Sequence, residues 1–274
     1  MSRRLVLVDL PWMRPKDPRV SLPHASLLAS LRAKTNVEVR SIVVPANSTS
    51  ASVELLADLI LRAAEFPRAD VDVAMGVYVW AEALVRGVCA ELRRRGFEGR
   101  IILGGPQVTY MGPGVDRLYP DADAFVRGYA EAALGQLAER PGTPTIRGVH
   151  YAGTTDRCAR ATVDLGVLPS PWLDGTLSLE ESSFIRWETQ RGCPFACSFC
   201  QHRQAGLRPR RADFPLSRLL AEVDLFCSSG VQDIAVLDPI FHLGVHAHAV
   251  LRRFADRNYP GRLSLQCRAE LIDD

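Results

Sequence analysis

Hydrophobic and polar positions follow two rhythms along the first half of the chain. Runs rich in Val, Ile and Leu ("RLVLVDLP", "VEVRSIVVPA", "VDVAMGVYVW", "RIILGGPQ", "AFVRGYA") alternate with segments whose apolar residues return every three or four positions ("SLPHASLLASLRAK", "SVELLADLILRAAEF", "EALVRGVCAELRRRGF", "EAALGQLAER"). The first rhythm predicts strands covered on both faces, and the second predicts amphipathic helices. In the second helix Val53, Leu56, Leu59, Ile60 and Ala63 make one apolar stripe. Residues 1–140 are therefore expected to form a doubly wound, Rossmann-like α/β domain on a parallel sheet of five strands.

From residue 141 to 183 the rhythm is lost among Pro, Gly, Thr and Asp, and a linker is expected, with a short hairpin around "GVHYAG". It resumes over residues 184–274 with "FIRWETQRG", "PLSRLLAEVDLFCSSG", "VQDIAVLD", "HAHAVLRRFADRN" and "RLSLQCRAEL". This predicts a second α/β region with three strands. Leu216, Leu219, Leu220, Val223 and Phe226 are its first buried helix face, and Gly230 stands where a helix C-terminal cap is wanted.

Composition narrows the classes of function. A chain of 274 residues that is 47% hydrophobic can bury two cores. Its 33 basic and 31 acidic side chains leave a net charge of +2, which gives no argument for a nucleic-acid or anionic-membrane partner. No window holds the roughly 20 apolar residues that span a bilayer, and the opening "MSRRLVLVDLPW" reads as a strand, not a signal peptide, so a cytoplasmic location is expected. An odd count of seven cysteines in a reducing compartment argues against a disulfide framework. Cys89 and Cys227 on helices and Cys267 in a strand are expected to be small buried hydrophobes.

The remaining thiols cluster in "RGCPFACSFC". Cys193, Cys197 and Cys200 can converge on one centre if the backbone curls, which Gly192 and Pro194 assist. A zinc knuckle completed by His202 is one reading of these donors. The other is a four-iron cluster held by three cysteines, which leaves one iron free to take a small molecule. A redox dithiol needs only two of the three.

Placed after the strand "FIRWETQ", "RGCPFACSFC" resembles the signature of radical S-adenosylmethionine enzymes. The resemblance implies that Cys193, Cys197 and Cys200 hold a 4Fe–4S cluster and that Phe199 packs near the adenine of S-adenosylmethionine. "AVLDPIFHLG" resembles the segment after the second barrel strand of cobalamin-dependent members, with Asp238, Pro239 and Phe241 in the usual places and His242 where Asn is common. "GRLSLQCRAELID" resembles their third strand, whose alternation would put Gln266, Arg268 and Glu270 on the face turned to S-adenosylmethionine. "LGGPQ" and "VRGYAEAAL" resemble the cobalamin-binding domain that precedes the barrel in that subgroup. The implied corrin positions are Val77, Tyr78 and Trp80 after the third strand, Gly104, Gly105, Pro106 and Gln107 after the fourth, and Gly128 with Glu131 after the fifth. The Asp-x-His-x-x-Gly sequence that supplies an axial histidine in some cobalamin proteins is absent, and His24 is expected at the surface or in a helix cap.

The implied fold is thus a cobalamin-binding Rossmann-like domain followed by an incomplete radical S-adenosylmethionine (β/α) partial barrel, since the pattern ends after three of the family's six strand–helix units. A fragment, a shortened product, or a second chain completing the barrel is expected. The implied activity is reductive cleavage of S-adenosylmethionine to a 5′-deoxyadenosyl radical, followed by methyl transfer to an unactivated carbon of a small-molecule or peptide substrate. The electron would come from a donor such as flavodoxin or ferredoxin. Rearrangement or ring closure with the same parts, and a non-catalytic cobalamin- or cluster-binding partner, stand as alternatives. No residue is singled out as catalytic.

Overall fold

A computed structural model describes residues 3–67, 70–180, 182–200 and 211–271. The chain divides into two compact units, one of residues 1–14 and 19–163 and one of residues 15–18 and 164–274.

In the first unit the chain runs β1 (Arg4–Asp9), α1 (Leu22–Lys34), β2 (Glu38–Val43), α2 (Val53–Ala64), β3 (Val71–Gly76), α3 (Glu82–Arg94), β4 (Ile101–Gly104), α4 (Pro106–Tyr110), α5 (Val115–Leu118), β5 (Ala124–Val126), α6 (Ala130–Glu139) and β6 (Val149–Tyr151). The sheet order is β2-β1-β3-β4-β5-β6. The first five strands are parallel, and β6 adds an antiparallel edge. The expected five-stranded sheet therefore has a sixth member, because "GVHYAG" pairs with β5 and not with itself as a hairpin. Alternation sorts each strand between two cores. Val6, Val8, Val73, Met75, Ile101 and Leu103 pack with α2 and α3 residues such as Leu56, Ile60, Val85 and Leu92. Leu5, Leu7, Ala74, Ile102 and Val126 pack on the other face with Leu28 and Leu31 of α1 and Leu134 and Leu137 of α6. That is the doubly wound arrangement. At the N-terminal edge Asp72 is buried and takes both Arg3 and Arg100, so in the cleft of about 310 Å³ that these residues help to line these three charges are already paired.

The second unit contains β7 (Phe184–Trp187), β8 (Gln190–Gly192), β9 (Arg211–Asp213), α7 (Leu216–Ser228), β10 (Asp233–Val236), α8 (Ala247–Asp256) and β11 (Arg262–Ser264). β7, β10 and β11 form a parallel sheet with β10 in the middle, and β8 and β9 make a separate antiparallel ribbon. Trp187 stacks edge-on against Phe226 of α7 at 5.5 Å and Phe254 of α8 at 6.1 Å. On α7, Leu219, Val223 and Phe226 are buried as the pattern predicts, together with Glu222, while Leu216 and Leu220 are only half-buried. Gly230 has φ +79°, the left-handed geometry expected after a helix end.

The segment expected to be a linker is built into both units. Residues 149–151 are β6, and in the second unit Trp172 packs edge-on against Phe226 at 5.4 Å. The Ser170 hydroxyl donates to buried Glu222, which also accepts from Trp187 Nε1 at 2.6 Å and Arg218 Nε at 2.9 Å. A carboxylate inside this core is tolerable because each donor is aimed at it.

Candidate functional site

The fold gathers the sequence-predicted residues at strand C-termini. In the first unit the order β2-β1-β3-β4-β5 reverses direction between β1 and β3, the point at which open α/β sheets bind ligands. Val77, Tyr78 and Trp80 follow β3, with Val77 fully buried and Tyr78 stacked on Trp80 at 4.8 Å. Trp80 Nε1 donates to Leu10 O, just past β1, at 3.0 Å. Trp12, 57% exposed, Trp80, 45% exposed, and exposed Val79 and Tyr129 rim this edge. Large apolar side chains left in water around a sheet's switch point are the mark of a ligand surface. Trp12 and Tyr129 were not predicted, although both lie a few residues past strand ends.

The glycines at this edge have reasons of their own. Gly105 has φ +88° and ψ −175°, and a Cβ there would stand 2.9 Å from both N and O of Val77. Gly128 has φ +84°, and its Cβ would meet Ala161 O at 2.5 Å. Backbone approach therefore dictates both. Gly104 has no positive φ, and the nearest atom to its Cβ is Val126 O at 3.4 Å. Pro106 opens α4, and Gln107 donates its backbone N–H to Val77 O and its side-chain amide to Glu82 at 3.0 Å. Glu131 faces inward, where the Ser26 hydroxyl donates to it at 3.2 Å. His24 is buried as well, 2.7 Å from the Ser41 hydroxyl, and burial lowers its pKa; the helix cap is supplied by Ser21.

In the second unit β7 ends at Trp187, the chain turns at Thr189, and β8 leads into the cysteine loop. Gly192 has φ +85°, so it supplies the curl expected of it. Cys193, Cys197 and Cys200 are all free thiols of intermediate exposure, with a turn closed by Cys200 N–H donating to Cys197 O at 3.1 Å. Phe199 is 90% exposed. Among the described residues no group of three or more His, Cys, Asp or Glu side chains is gathered as a ready metal site. The fit of this trio to a cluster rests on its donor chemistry: three unbonded thiols on one loop at the C-terminal end of a parallel strand. His202, the fourth ligand of the zinc reading, lies outside the described residues.

Asp238, which the resemblance counts among the cofactor-binding residues, does not reach the surface in this structure. It is fully buried and accepts hydrogen bonds from Thr189 N–H at 2.8 Å, from Gln190 N–H at 3.2 Å and from the Thr189 hydroxyl. Burial raises its pKa to about 6 against these three donors. Nor does alternation along the third strand place Gln266, Arg268 and Glu270, because β11 stops at Ser264. Instead Gln266 O accepts from Phe241 N–H at 2.8 Å, while Arg268 pairs with Glu270 and lies over the Phe195 ring, inside the cysteine loop, at 4.3 Å. Cys267 is accordingly exposed and not in a strand. Both ring nitrogens of His242 are enclosed without a hydrogen-bond partner among the described residues. Cys89 behaves as a buried hydrophobe, its thiol pushed up to about 12 by burial.

No family model matches the chain. It is 28% identical over 200 residues to a 2-(S-pantetheinyl)-carbapenam-3-carboxylate methyltransferase of Streptantibioticus cattleyicolor, an alignment covering 67% of this chain and 29% of that protein. It is 28% identical over 185 residues to the cobalamin-dependent radical SAM methyltransferase TokK of Streptomyces tokunonensis, covering 61% of this chain and 27% of that one. The alignments thus span less than a third of the length of these relatives. The radical S-adenosylmethionine methyltransferase TsrM of Kitasatospora setae, solved with tryptophan substrate and a SAM analog, superposes with a TM-score of 0.75 over 99% of this chain and 56% of its own, at 19% identity. The same protein solved with cobalamin and a 4Fe–4S cluster gives 0.71 over 100% of this chain and 57% of its own, at 20% identity. The cobalamin-dependent S-adenosylmethionine radical enzyme OxsB, solved with aqua-cobalamin and S-adenosylmethionine, gives 0.68 over 93% of this chain and 37% of its own, at 18% identity. The structural likeness carries the α/β fold, and of the two relatives TokK bears the name of the enzyme class that the cysteine signature resembles. No helix of the described residues is long and apolar enough to cross a membrane.

Proposed function

We propose that the chain carries the cobalamin-binding and cluster-binding parts of a cobalamin-dependent radical S-adenosylmethionine methyltransferase. The observation that carries this reading is the trio of free thiols, Cys193, Cys197 and Cys200, on a loop raised from the end of β7. Their sulfurs would hold a 4Fe–4S cluster, and exposed Phe199 would offer a face to the adenine of S-adenosylmethionine. Arg268, over Phe195 of this loop and paired with Glu270, would exchange that partner for the carboxylate of S-adenosylmethionine, leaving Glu270 to its amino group, with Gln266 the third candidate. In the first unit the Tyr78–Trp80 stack and the turns at Gly104–Gln107 and Gly128 would cradle the corrin at the switch point.

When bound, these cofactors supply one-electron cleavage of S-adenosylmethionine and a methyl group for an unreactive carbon. The chain's own part is to hold, orient and exclude water. The substrate is a small molecule or peptide, and the electron comes from a flavodoxin- or ferredoxin-type donor. The test is anaerobic reconstitution of the full chain with iron, sulfide and hydroxocobalamin. The proposal expects cobalamin to be retained, and S-adenosylmethionine to change the electron paramagnetic resonance spectrum of the reduced cluster. A colourless protein with stoichiometric zinc, or a cluster spectrum indifferent to S-adenosylmethionine, would overturn it.

A further inference from the structure

The segment from Asp238 to Val245 grips both strands of the ribbon that carries the cysteine loop. On the β8 side Asp238 takes the two amides and the hydroxyl of the Thr189–Gln190 corner, and Ile240 O accepts from Gln190 Nε2 at 2.5 Å. On the β9 side Leu243 O accepts from the Arg211 guanidinium, and Val245 N–H donates to Asp213 Oδ1 at 3.0 Å. The same segment reaches the end of the third strand through Phe241 N–H and Gln266 O. One stretch of chain thus sets the register between the cysteines and the Gln266–Glu270 residues.

We infer that Asp238 is a positioning residue for the cysteine loop, its buried carboxylate fixing the corner from which Cys193 departs. The inference rests on the cluster-binding reading above insofar as the loop binds iron. Two physical facts favour it over an incidental buried carboxylate. β8 is three residues long and pairs with β9 alone, so the ladder cannot by itself hold the corner. Cys193 also follows Gln190 by only three residues, about 10 Å of chain at most, so a rotation at the corner is delivered to the sulfur. A buried carboxylate costs desolvation energy that an apolar residue would not, and here the three hydrogen bonds it accepts all come from that one corner.

The full chain is reconstituted anaerobically with ferrous iron and sulfide. The rate at which a chelator strips iron, and the spectrum of the reduced cluster, are then followed for wild type, Asp238→Ala, Asp238→Asn and Thr189→Val. Asn retains an acceptor for the amides and a donor for the Thr189 hydroxyl, so its stripping rate stays within about twofold of wild type, whereas Ala accelerates it about tenfold and broadens the spectrum. Thr189→Val removes one bond only and accelerates stripping about threefold. If the Ala variant does not fold, Thr189→Val decides alone: faster stripping supports the inference and a wild-type rate overturns it. Rates and spectra in the Ala and Val variants equal to wild type would overturn the inference. A wild-type chain that takes up no iron would overturn the cluster reading instead. Amide hydrogen exchange over Arg191–Cys200 then decides the inference: faster exchange in Asp238→Ala supports it, and unchanged exchange overturns it.

Discussion

Replacing Gly105 by alanine should unfold the first unit at a markedly lower temperature, while the same change at Gly104 should not. Gly105 sits at φ +88° and ψ −175°, a region in which a side chain costs about 1–3 kcal/mol. The new Cβ would also stand 2.9 Å from the backbone N and O of Val77, and such overpacking costs about another 1–3 kcal/mol. Taking about 3 kcal/mol as the sum after relaxation, and about 2–4 °C per kcal/mol for a unit of this size, the midpoint falls by about 6–12 °C. At Gly104 the nearest atom is Val126 O at 3.4 Å, an ordinary contact, and the expected change is within about 2 °C. Scanning calorimetry of the full chain without cofactors measures both. A Gly105→Ala midpoint within about 2 °C of wild type would refute the reasoning and leave that glycine to be explained by a ligand alone.

Three other outcomes are expected. Glu222→Ala removes the acceptor of Arg218 Nε, the Trp187 indole N–H and the Ser170 hydroxyl and leaves Arg218 only the carbonyls of Leu168 and Pro169, so urea unfolding followed by tryptophan fluorescence should show a loss of about 3–5 kcal/mol; an unchanged midpoint would contradict the buried network. Asp238 has a folded pKa of about 6 against an ordinary 3.8, so the native state binds the extra proton between those values. Stability from this group is therefore full below about pH 4 and is lost as pH rises to about 6, amounting to about 3 kcal/mol at roughly 1.4 kcal/mol per unit. Asp238→Asn should lack that slope when denaturation is compared with wild type across the window. Trp80→Ala, which breaks the stack with Tyr78, should weaken hydroxocobalamin binding about three- to tenfold in a spectroscopic titration, the worth of about one aromatic contact; equal affinity would move the corrin away from this edge.

The strands and helices of the first unit were legible because their burial is periodic: Val6 and Val8 face one core, Leu5 and Leu7 the other, and α2 buries Leu56, Ala57, Ile60 and Ala64. β8 and β9 were not legible. "QRG" and "RAD" carry no apolar alternation, and the hydrogen bonds they make to residues 238–245 are long-range contacts that periodicity does not reveal. The segment read as a linker was misjudged for a related reason, since its order comes from single anchors such as Trp172 and Ser170, which periodicity cannot reveal. In the third strand the alternation of Gln266, Arg268 and Glu270 is present in the sequence, but pairing with β10 ends at Ser264. Beyond it, contacts to Phe241 and Phe195 decide the path. Among site residues, the grouping of Cys193, Cys197 and Cys200 is legible in the sequence and the structure keeps them as free thiols, while the cluster they would hold is implied by the resemblance and not by their spacing. Asp238 is picked out by the resemblance alone, and nothing in the sequence shows its burial or its hydrogen bonds to Thr189 and Gln190.

The most direct test of the central claim, that Cys193, Cys197 and Cys200 hold an iron–sulfur cluster, is iron and sulfide quantitation on the anaerobically reconstituted full chain, beside Cys197→Ala. The account predicts about four irons per wild-type chain, as a 4Fe–4S cluster requires, and loss of the cluster's visible absorbance in the variant. Equal iron in the two proteins, or zinc in place of iron in both, would contradict it.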